Sequence, residues 1–321
     1  MRIMAAVVTY NRLNLLPRAL DSVVAQGDAF ETLCVINNCS TDGTKEFLES
    51  YPCDRLRSVN VEANLGGAGG FSLAVQLAVE GGYDAVWVFD DDGVAQPGAL
   101  RQLAEAMQAH DLAIANALVL GEGHPDRLAF GLVDESLHAE RQSIFTVEEA
   151  EARASDGIIR KMANPFNSTL ISCAAVRKAG SIRPEMFIWG DEVEFMRRLL
   201  RQGFMVATVV GARHVHPLPK TQLVETKAGA VRVPPAGRGI YFYRNQGLNS
   251  ARHEGVQRSL RILAHHLRHA VARKASIREV LEITLWWCDG LTGLYMFKPS
   301  RAFSRKRWSD ELAKARLRPS S

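Results

Sequence analysis

Short apolar runs alternate with amphipathic helical patterns along the first half of the chain. The apolar runs typical of strands are Met4–Thr9, Thr32–Asn37, Arg57–Glu62, Ala85–Asp90 and Leu112–Leu120. The patterns typical of helices lie between them, at Leu13–Ala25, Thr44–Ser50, Gly70–Gly81 and Gly98–His110. Strands that alternate with helices in this way predict an α/β fold, in which a mostly parallel sheet carries helices on both faces.

The second half of the chain is less regular. Charged residues interrupt the pattern from about 121 to 160, where Val147–Ala154 is typical of a polar helix or a loop. The elements predicted after it are a strand at Ser168–Ala174, a helix at Glu192–Gln202, a strand at Met205–Val210 and a linker or lid at 211–238. Helical patterns dominate from there on. We therefore predict an α/β domain at residues 1–238 and a mainly helical C-terminal subdomain at residues 239–321.

Composition and charge narrow the class of protein. The 321 residues are 47% apolar, which is enough for a large buried core. The net charge of +4 is small, but Arg, Lys and His accumulate after Arg252. That bias fits an anionic membrane surface or nucleic acid, and it also fits a solvated helical tail.

The cysteines and the N-terminus indicate the cellular compartment. Five cysteines form no CxxC pair, and an odd count of this kind is typical of reduced cytosolic thiols. The chain enters a strand-like run at Ile3 without the pattern of a signal peptide, and no apolar run reaches the roughly 18 residues of a spanning helix. We therefore expect a cytoplasmic protein.

Three consecutive carboxylates, Asp90, Asp91 and Asp92, follow the buried strand predicted at Ala85–Phe89. Like charges at the carboxyl end of a strand need a positive partner, and ligands bind at this edge of an α/β sheet. Oxygen ligands of this type suit Mg²⁺ or Mn²⁺, which commonly carry substrate phosphates. The alternative is a solvated acidic turn ahead of the helix predicted near Pro97.

Polar and glycine-rich segments follow the other predicted strands. Thr9 to Arg12 and the segment from Asn38 to Thr44 would form a crevice for a flat polar ligand such as a nucleobase. After the third strand, Asn64-Leu-Gly-Gly-Ala-Gly-Gly-Phe71 lets backbone N–H groups approach a phosphate near a helix N-terminus. The segment has neither the Walker pattern nor the dinucleotide fingerprint. A flexible turn is the alternative.

These motifs together resemble inverting glycosyltransferases of the GT-A fold, most closely the galactofuranosyl- and rhamnosyl-transferases, over about residues 1–250. The resemblance implies a nucleotide-diphosphate sugar as donor. It places Asp90 and Asp92 on a divalent cation and Asp91 on the ribose. The other donor-binding residues that it implies are Thr9, Tyr10, Asn11, Arg12, Asn38, Asn64, Gly66, Gly67, Gly69 and Gly70.

The same resemblance covers Phe187–Phe195, where an acidic pair opens a helix. It implies that Glu192 is the base that deprotonates the acceptor hydroxyl, with Trp189 lining the acceptor side. Related enzymes usually have Asp at this position, so Asp191 stays open as the base. Helix capping by either carboxylate is the alternative without catalysis.

Three further assignments come from the resemblance. His216 lies 24 positions after Glu192 and is implied as the third metal ligand, with His214 as the alternative. Asn167 belongs to an acceptor-side turn, although related enzymes have Gly where this chain has Ser168. Arg238, Tyr243 or Arg244 would reach the diphosphate or the acceptor, unless they form only aromatic core and surface charge.

The apolar and aromatic segment Leu281–Phe297 is interrupted by Asp289 and two glycines. It predicts either a helix that lies on a membrane surface or a buried helix of the C-terminal subdomain. The resemblance favours membrane contact, because acceptors of such enzymes are often lipid-linked glycans. We therefore expect a location that is cytoplasmic, or peripheral on the inner face of the cell membrane.

The sequence thus predicts an inverting glycosyltransferase that uses Mn²⁺ or Mg²⁺. UDP-galactofuranose is the first candidate donor and dTDP-rhamnose the second, and the acceptor is a glycan or lipid-linked glycan of cell-surface polysaccharide synthesis. No nucleic-acid partner is expected, and the oligomeric state stays open. The alternatives are a nucleotidyltransferase, which would release pyrophosphate, and a non-catalytic protein that binds sugar nucleotides.

Overall fold

The computed structural model describes residues 1–134, 143–218, 223–227, 229–296 and 305–317. Its strands are β1 (Ile3–Thr9), β2 (Thr32–Asn37), β3 (Leu56–Asn60), β4 (Ala85–Asp90), β5 (Val94–Ala95), β6 (Leu112–Gly121), β7 (His124–Val133), β8 (Ser143–Thr146), β9 (Ile158–Arg160), β10 (Thr169–Ser172), β11 (Met205–His216), β12 (Leu223–Thr226) and β13 (Gly229–Arg232). Its helices are α1 (Leu16–Val24), α2 (Thr44–Ser50), α3 (Gly66–Glu80), α4 (Ala99–Ala109), α5 (Val147–Arg153), α6 (Cys173–Ala179), α7 (Asp191–Arg201), α8 (Gly239–Glu254), α9 (Val256–Ala272), α10 (Ile277–Thr292) and α11 (Arg305–Leu317).

The N-terminal half of the main sheet is parallel, in the order β3-β2-β1-β4, which confirms the predicted α/β fold. Thr9 pairs with Asn37 and Val8 with Asp90, so these strands end at the same edge. Strands β2 and β3 are added on one side of β1 and strand β4 on its other side, so the order of the strands reverses between β1 and β4. The carboxyl ends on either side of such a switch point form the crevice where α/β proteins bind ligands.

The other half of the sheet is mixed. Strand β10 lies antiparallel between β4 and β6, and β11 runs parallel to β6. Strand β11 does not end at Val210 as predicted but continues to His216 after a register shift between Val209 and Arg213. The predicted lid therefore loses its first six residues to the sheet. The irregular region after residue 121 also contains strands, because β7 pairs with β6 and β8.

The core lies on both faces of the sheet. Alternate residues of β1 point to opposite faces, so Met4, Ala6 and Val8 pack in the cluster that includes α3. Ile3, Ala5 and Val7 pack in the cluster that includes α1 and α4. A strand with all of its side chains buried in this way is typical of the centre of an α/β sheet.

The C-terminal helices do not all lie in one subdomain. Helices α8, α9 and α10 pack on one another around Tyr243, Ile283 and Trp287. Helix α11 returns to the α/β domain, where Leu312 and Ala315 join the cluster that includes α3. The division at residue 238 stays a prediction, but this last helix packs with the first domain.

Basic residues of the C-terminal helix make contacts within the chain. Lys314 forms an ion pair with Glu62 at 2.6 Å, and Arg316 forms one with Glu80. The Trp308 indole N–H donates to the carbonyl of Gly69 at 3.2 Å. Part of the positive charge at the C-terminus, which suggested an external anionic partner, is thus paired with acidic side chains of this protein.

Two glycines at the start of α3 are required by packing. Gly66 has φ +73°, and a Cβ there would lie 2.1 Å from the carbonyl oxygen of Phe187. A Cβ on Gly70 would lie 2.5 Å from a methyl carbon of Val8. The Gly66 contact is with backbone, which cannot rotate away. The glycines therefore let α3 approach both β1 and the segment that precedes α7.

We predict that Gly66→Ala destabilises the protein by about 2 kcal/mol or more, since it combines a left-handed conformation with a backbone clash. Gly67→Ala is the matched control, because the nearest atom to its Cβ is 4.0 Å away. We expect this change to leave the free energy of unfolding unchanged or to raise it by up to about 1 kcal/mol. Chemical denaturation measures both, and equal values would contradict the packing argument.

Candidate functional site

Asp90, Asp92 and His216 converge at the carboxyl edge of the sheet. One ligand atom from each of the three side chains lies within 4.8 Å of the others. Asp90 ends β4, Asp92 is in the turn that follows, and His216 ends β11. Strand β5 fixes their relative position, because it follows the acidic turn and pairs antiparallel with β11 at Val215. This is the ligand set that the sequence predicted.

Burial makes the acidic triplet electrostatically costly. Desolvation, followed by the charges of Asp92 and Asp91, raises the pKa of Asp90 to about 7. Desolvation acts to raise the pKa of Asp92 as well, but the contact with His216 and the charge of Arg12 reverse the shift. The site therefore carries more negative charge than its protein neighbours fully compensate, which is the condition under which a divalent cation binds.

The imidazole of His216 is oriented for ligation. Its Nδ1 lies 2.6 Å from the carbonyl oxygen of Pro217, so this nitrogen carries the proton and donates it. The Nε2 then faces Oδ1 of Asp92 at 3.0 Å. Two atoms that both offer lone pairs need a cation at this separation, either a proton or a metal ion. One imidazole and two carboxylates fit Mn²⁺ well and Mg²⁺ acceptably.

Arg12 provides part of the compensation that the sequence analysis assigned to the metal ion alone. One guanidinium nitrogen, Nη1, lies 3.1 Å from Oδ1 of Asp91 and 2.6 Å from Oδ2 of Asp92. Burial raises the pKa of Asp91, and the charge of Arg12 opposes that shift. Arg12 follows β1 and the triplet follows β4, two adjacent strands. The signal in the sequence was Arg12 itself, a cationic residue shortly after the strand that lies next to β4.

The rest of the Thr9–Arg12 segment surrounds Asp91. Thr9 is buried at the end of β1, and the backbone N–H of Tyr10 donates to Asp91 at 3.4 Å. The side chain of Tyr10 is exposed, whereas the Asn11 side-chain oxygen accepts from the N–H of Thr41 at 2.7 Å. Contact between this segment and a nucleotide stays a prediction.

Asn38 and Asn64 shape the turn that starts α3. The Asn38 side chain accepts from the N–H of Leu65 at 2.8 Å and donates to the carbonyl of Gly66 at 3.1 Å. The Asn64 side chain accepts from the N–H of Gly66 at 2.8 Å. The structure thus gives both residues a positioning role, and their contact with the donor stays a prediction.

The glycine-rich segment is not the open loop that the sequence predicted. The structure places Gly66, Gly67, Gly69 and Gly70 in the first turns of α3, four residues earlier than the predicted helix start. The N–H of Ala68 already donates to the carbonyl of Phe187 at 3.1 Å. Gly67 is half-buried and has open space beside it. Phosphate binding at this helix N-terminus stays a prediction.

The acidic pair Asp191 and Glu192 begins α7, as predicted. Asp191 is buried, and desolvation together with the charges of Glu192 and Asp90 raises its pKa well above the ordinary value. The charge of Asp90 is a small contribution to this shift, and the catalytic roles of the pair stay predictions. Glu192 is half-buried, and Oε2 of its carboxylate accepts from the N–H of Gly190 at 2.8 Å.

The two residues predicted on the acceptor side are both half-buried. Trp189 is half-buried, with the guanidinium carbon of Arg238 5.8 Å from its ring centroid and the ring of Phe242 edge-on at 6.4 Å. The side-chain oxygen of Asn167 is buried and has no hydrogen-bond partner among the described residues. An unsatisfied acceptor of this kind suits a ligand hydroxyl, although acceptor contact stays a prediction for both.

His214 does not join the ligand set. Its ring is fully buried below the acidic turn, where a Cβ on Gly93 would lie 2.1 Å from Nε2. Burial lowers the pKa of His214 to about 3, so the ring is neutral. Neither ring nitrogen has a hydrogen-bond partner within the described part of the chain. Gly93 therefore serves packing, and the structure does not bring the alternative ligand His214 to the acidic cluster.

Comparisons with known proteins identify the family of this chain. The model of glycosyl transferase family 2 matches residues 5–128. Galactofuranosyltransferase GlfT1 of Mycobacterium tuberculosis (strain H37Rv) is 31% identical over 251 residues, which cover 76% of this chain and 81% of the relative. The chain therefore belongs to glycosyl transferase family 2, and the protein is a glycosyltransferase.

Solved structures show the same fold at low sequence identity. TarS residues 1–349 from S. aureus, in complex with UDP, has a TM-score of 0.57 and 16% identity, with 98% of this chain and 90% of that chain covered. GalNAc-T7 with UDP, GalNAc and Mn²⁺ has a TM-score of 0.55 and 14% identity, with 77% of this chain and 48% of that chain covered. The architecture is the GT-A fold.

Proposed function

We propose that this protein is a metal-dependent inverting glycosyltransferase that transfers galactofuranose from UDP-galactofuranose. The acceptor is a glycan or lipid-linked glycan of cell-surface polysaccharide synthesis. The observation that carries the proposal is the convergence of Asp90, Asp92 and His216 at the carboxyl edge of the sheet. Asp191, at the start of α7, is buried, and after desolvation and the charge of Glu192 the charge of Asp90 contributes to its raised pKa. The 31% identity to a galactofuranosyltransferase supports the choice of sugar, and dTDP-rhamnose is the second candidate donor.

The roles of the residues follow from their chemistry. Asp90, Asp92 and His216 would hold Mn²⁺ or Mg²⁺, which when bound supplies positive charge for the departing diphosphate. Glu192 deprotonates the acceptor hydroxyl as its oxygen attacks the anomeric carbon from the face opposite the leaving group. Asp191 is the alternative base. The attack from that face inverts the configuration at the anomeric carbon.

The two alternatives from the sequence lose support. A nucleotidyltransferase would be expected to match a different family, and family membership is the stronger argument. A non-catalytic binding protein does not need a buried carboxylate such as Asp191 next to a second acidic group, since its burial costs free energy that binding alone does not require.

We also propose that α10 contacts the inner face of the cell membrane. Ile277, Leu281 and Leu285 are 81%, 57% and 48% exposed and lie one turn apart on one face of the helix. Exposed Arg278 lies beside this apolar stripe and suits anionic headgroups. No helix among the described residues is long and apolar enough to cross a membrane, so contact would be at the surface.

The donor and metal assignments predict one thermal experiment. We expect UDP with Mn²⁺ to raise the melting temperature by roughly 3–5 °C at a hundredfold excess over its Kd. We expect UDP without metal, or dTDP with metal, to give a smaller shift. Asp92→Asn should abolish the metal-dependent part, because the amide carries no charge and binds Mn²⁺ weakly.

Asp28→Asn is the matched control for that experiment, since it removes the same charge from an exposed position. It should behave as the unaltered protein does. A larger shift with dTDP than with UDP would replace the galactofuranose proposal by the rhamnose one. A full UDP shift that persists in Asp92→Asn and in chelator would remove the metal site from the proposal.

The base assignment predicts the effect of Glu192→Gln. We expect turnover, measured as UDP released from UDP-galactofuranose in the presence of acceptor, to fall by about 10²–10⁴-fold. The UDP-dependent thermal shift should stay within the error of the unaltered protein, because the residue does not ligate the metal. Asp191→Asn is measured in parallel to decide between the two carboxylates.

Glu148→Gln separates catalysis from helix capping. Glu148 is an exposed carboxylate in the first turn of α5, so its loss weakens a helix N-terminus by the same mechanism without touching the site. Turnover in this variant should be unchanged. If Glu192→Gln keeps full turnover and Asp191→Asn loses it, the base is Asp191.

The membrane proposal predicts that Leu281→Asp weakens co-sedimentation with vesicles containing phosphatidylglycerol by about tenfold, because it places a charge in the apolar stripe. Phe145→Asp is the control, since Phe145 is an exposed apolar residue of β8 in the other domain. Binding that is equal in the two variants, or no binding by the unaltered protein, would refute membrane contact through α10.

A further inference from the structure

A cavity separate from the acidic cluster lies between the segment before α7 and the C-terminal helices. Its volume is about 630 Å³, which is in the range of sites for small ligands. The side chains that give it chemical character are Arg183, Glu185, Tyr241, Arg244, Tyr295 and Arg305. None of the three metal ligands and neither residue of the acidic pair lines it.

Arg244 is the unusual group in this cavity. It is only 3% exposed, and it forms no ion pair with a carboxylate in the part of the chain that the structure describes. Its Nη2 donates to the backbone carbonyl of Glu185 at 3.2 Å and its Nε to the side chain of Asn245 at 3.3 Å. Burial lowers the pKa of this guanidinium, and the acidic groups around it, Asp289 and Glu185 among them, oppose the shift only in part.

Tyr295 adds an unsatisfied group. Its ring centroid lies 4.6 Å from the guanidinium carbon of Arg244. Its hydroxyl is buried and has no hydrogen-bond partner among the described residues. A buried hydroxyl without a partner, beside a buried cation whose hydrogen-bond acceptors in the described part of the chain are all uncharged, suits an anion with several oxygen atoms.

The charge balance of the wall favours the same ligand. Three guanidinium groups face one carboxylate, that of Glu185. Arg183 lies 3.2 Å from this carboxylate and Arg305 lies 4.0 Å from it, so Glu185 is already compensated. Arg305 is 82% exposed at the mouth, where it can fold onto a ligand.

Aromatic and apolar groups extend the cavity beyond the charged wall. The rings of Phe187 and Tyr241 stack with their centroids 4.7 Å apart. Leu294 and Met296 line the cavity and are exposed to solvent. If the charged end of a ligand reaches Arg244, the part of the ligand next to that end therefore lies against apolar side chains at the rim of the cavity.

We propose that this cavity binds the phosphate or diphosphate group of a substrate other than the nucleotide sugar. Phe187 connects it to the catalytic edge, since its ring lines the cavity and its carbonyl accepts from Ala68 of α3. Asp191 follows four residues later. Identification of the ligand as the acceptor rests on the proposed transferase function, whereas the anion site itself does not.

The experiment is calorimetric titration of the full chain in EDTA, so that the metal site contributes nothing. The probes are inorganic pyrophosphate, farnesyl diphosphate and farnesol. We expect both diphosphates to bind saturably and farnesol alone not to bind. Arg305→Gln and Tyr295→Phe should each weaken diphosphate binding by about tenfold, which is the size expected for loss of one charge-assisted hydrogen bond.

Arg278→Gln is the matched control, because it removes an arginine that is equally exposed but lies on α10 outside the cavity. It should bind diphosphate as the unaltered protein does. Tighter binding of farnesyl diphosphate than of pyrophosphate identifies a lipid phosphate as the source, and equal affinity identifies a soluble phosphate. Both results support the anion site.

Three results would overturn the inference: no saturable binding of either diphosphate, equal binding in all variants, or farnesol binding as well as its diphosphate. The thermal shift with UDP and Mn²⁺ is measured on the same variants and should be unchanged. A variant that loses diphosphate binding but keeps the thermal shift with UDP supports a diphosphate site in the cavity that is separate from the donor site. Absence of the UDP shift in every protein refutes the proposed function without touching this result.

Discussion

The arrangement of the site depends on how one short acidic turn is neutralised. Asp90, Asp91 and Asp92 lie together at a buried sheet edge, and desolvation alone would favour their protonated forms. Two cationic or ligating groups approach from different strands, Arg12 after β1 and His216 at the end of β11. Neither group fully compensates the negative charge of Asp90. A divalent cation between Asp90, Asp92 and His216 would do so, and it is the same charge that a leaving diphosphate requires.

The mixed half of the sheet brings His216 to the acidic turn. Strand β10 lies antiparallel between β4 and β6, so β6 and its parallel neighbour β11 run in the same direction as β4. The register shift in β11 and its pairing with β5 then carry its carboxyl end to the acidic turn. Gly93 allows this approach, because any side chain there would occupy the position of the His214 ring.

The C-terminal helices support the acidic pair as well as extending the protein. The side-chain amide of Asn245 in α8 donates to the carbonyls of Met186, Ile188 and Trp189, which lead into α7. Phe187 and Trp189 in this segment have positive φ, a conformation that costs free energy and therefore needs such support. The segment lies between the acidic pair and the cavity around Arg244, so its conformation affects the shape of both.

The sequence by itself determined the α/β class and the parallel strands of the first half, because local hydrophobic periodicity carries that information. A rare run of carboxylates marked the acidic turn, and the assignment of Asp90, Asp92 and His216 as metal ligands stays a prediction. Only the tertiary structure decided the packing role of Gly66 and Gly70, the compensating role of Arg12, the burial of His214 and the return of α11 to the first domain. These depend on contacts between residues that are far apart in the chain, and no local pattern encodes which strand end or helix face a side chain will meet. The cavity around Arg244 belongs to the same class, since its walls come from four segments that are far apart in the chain.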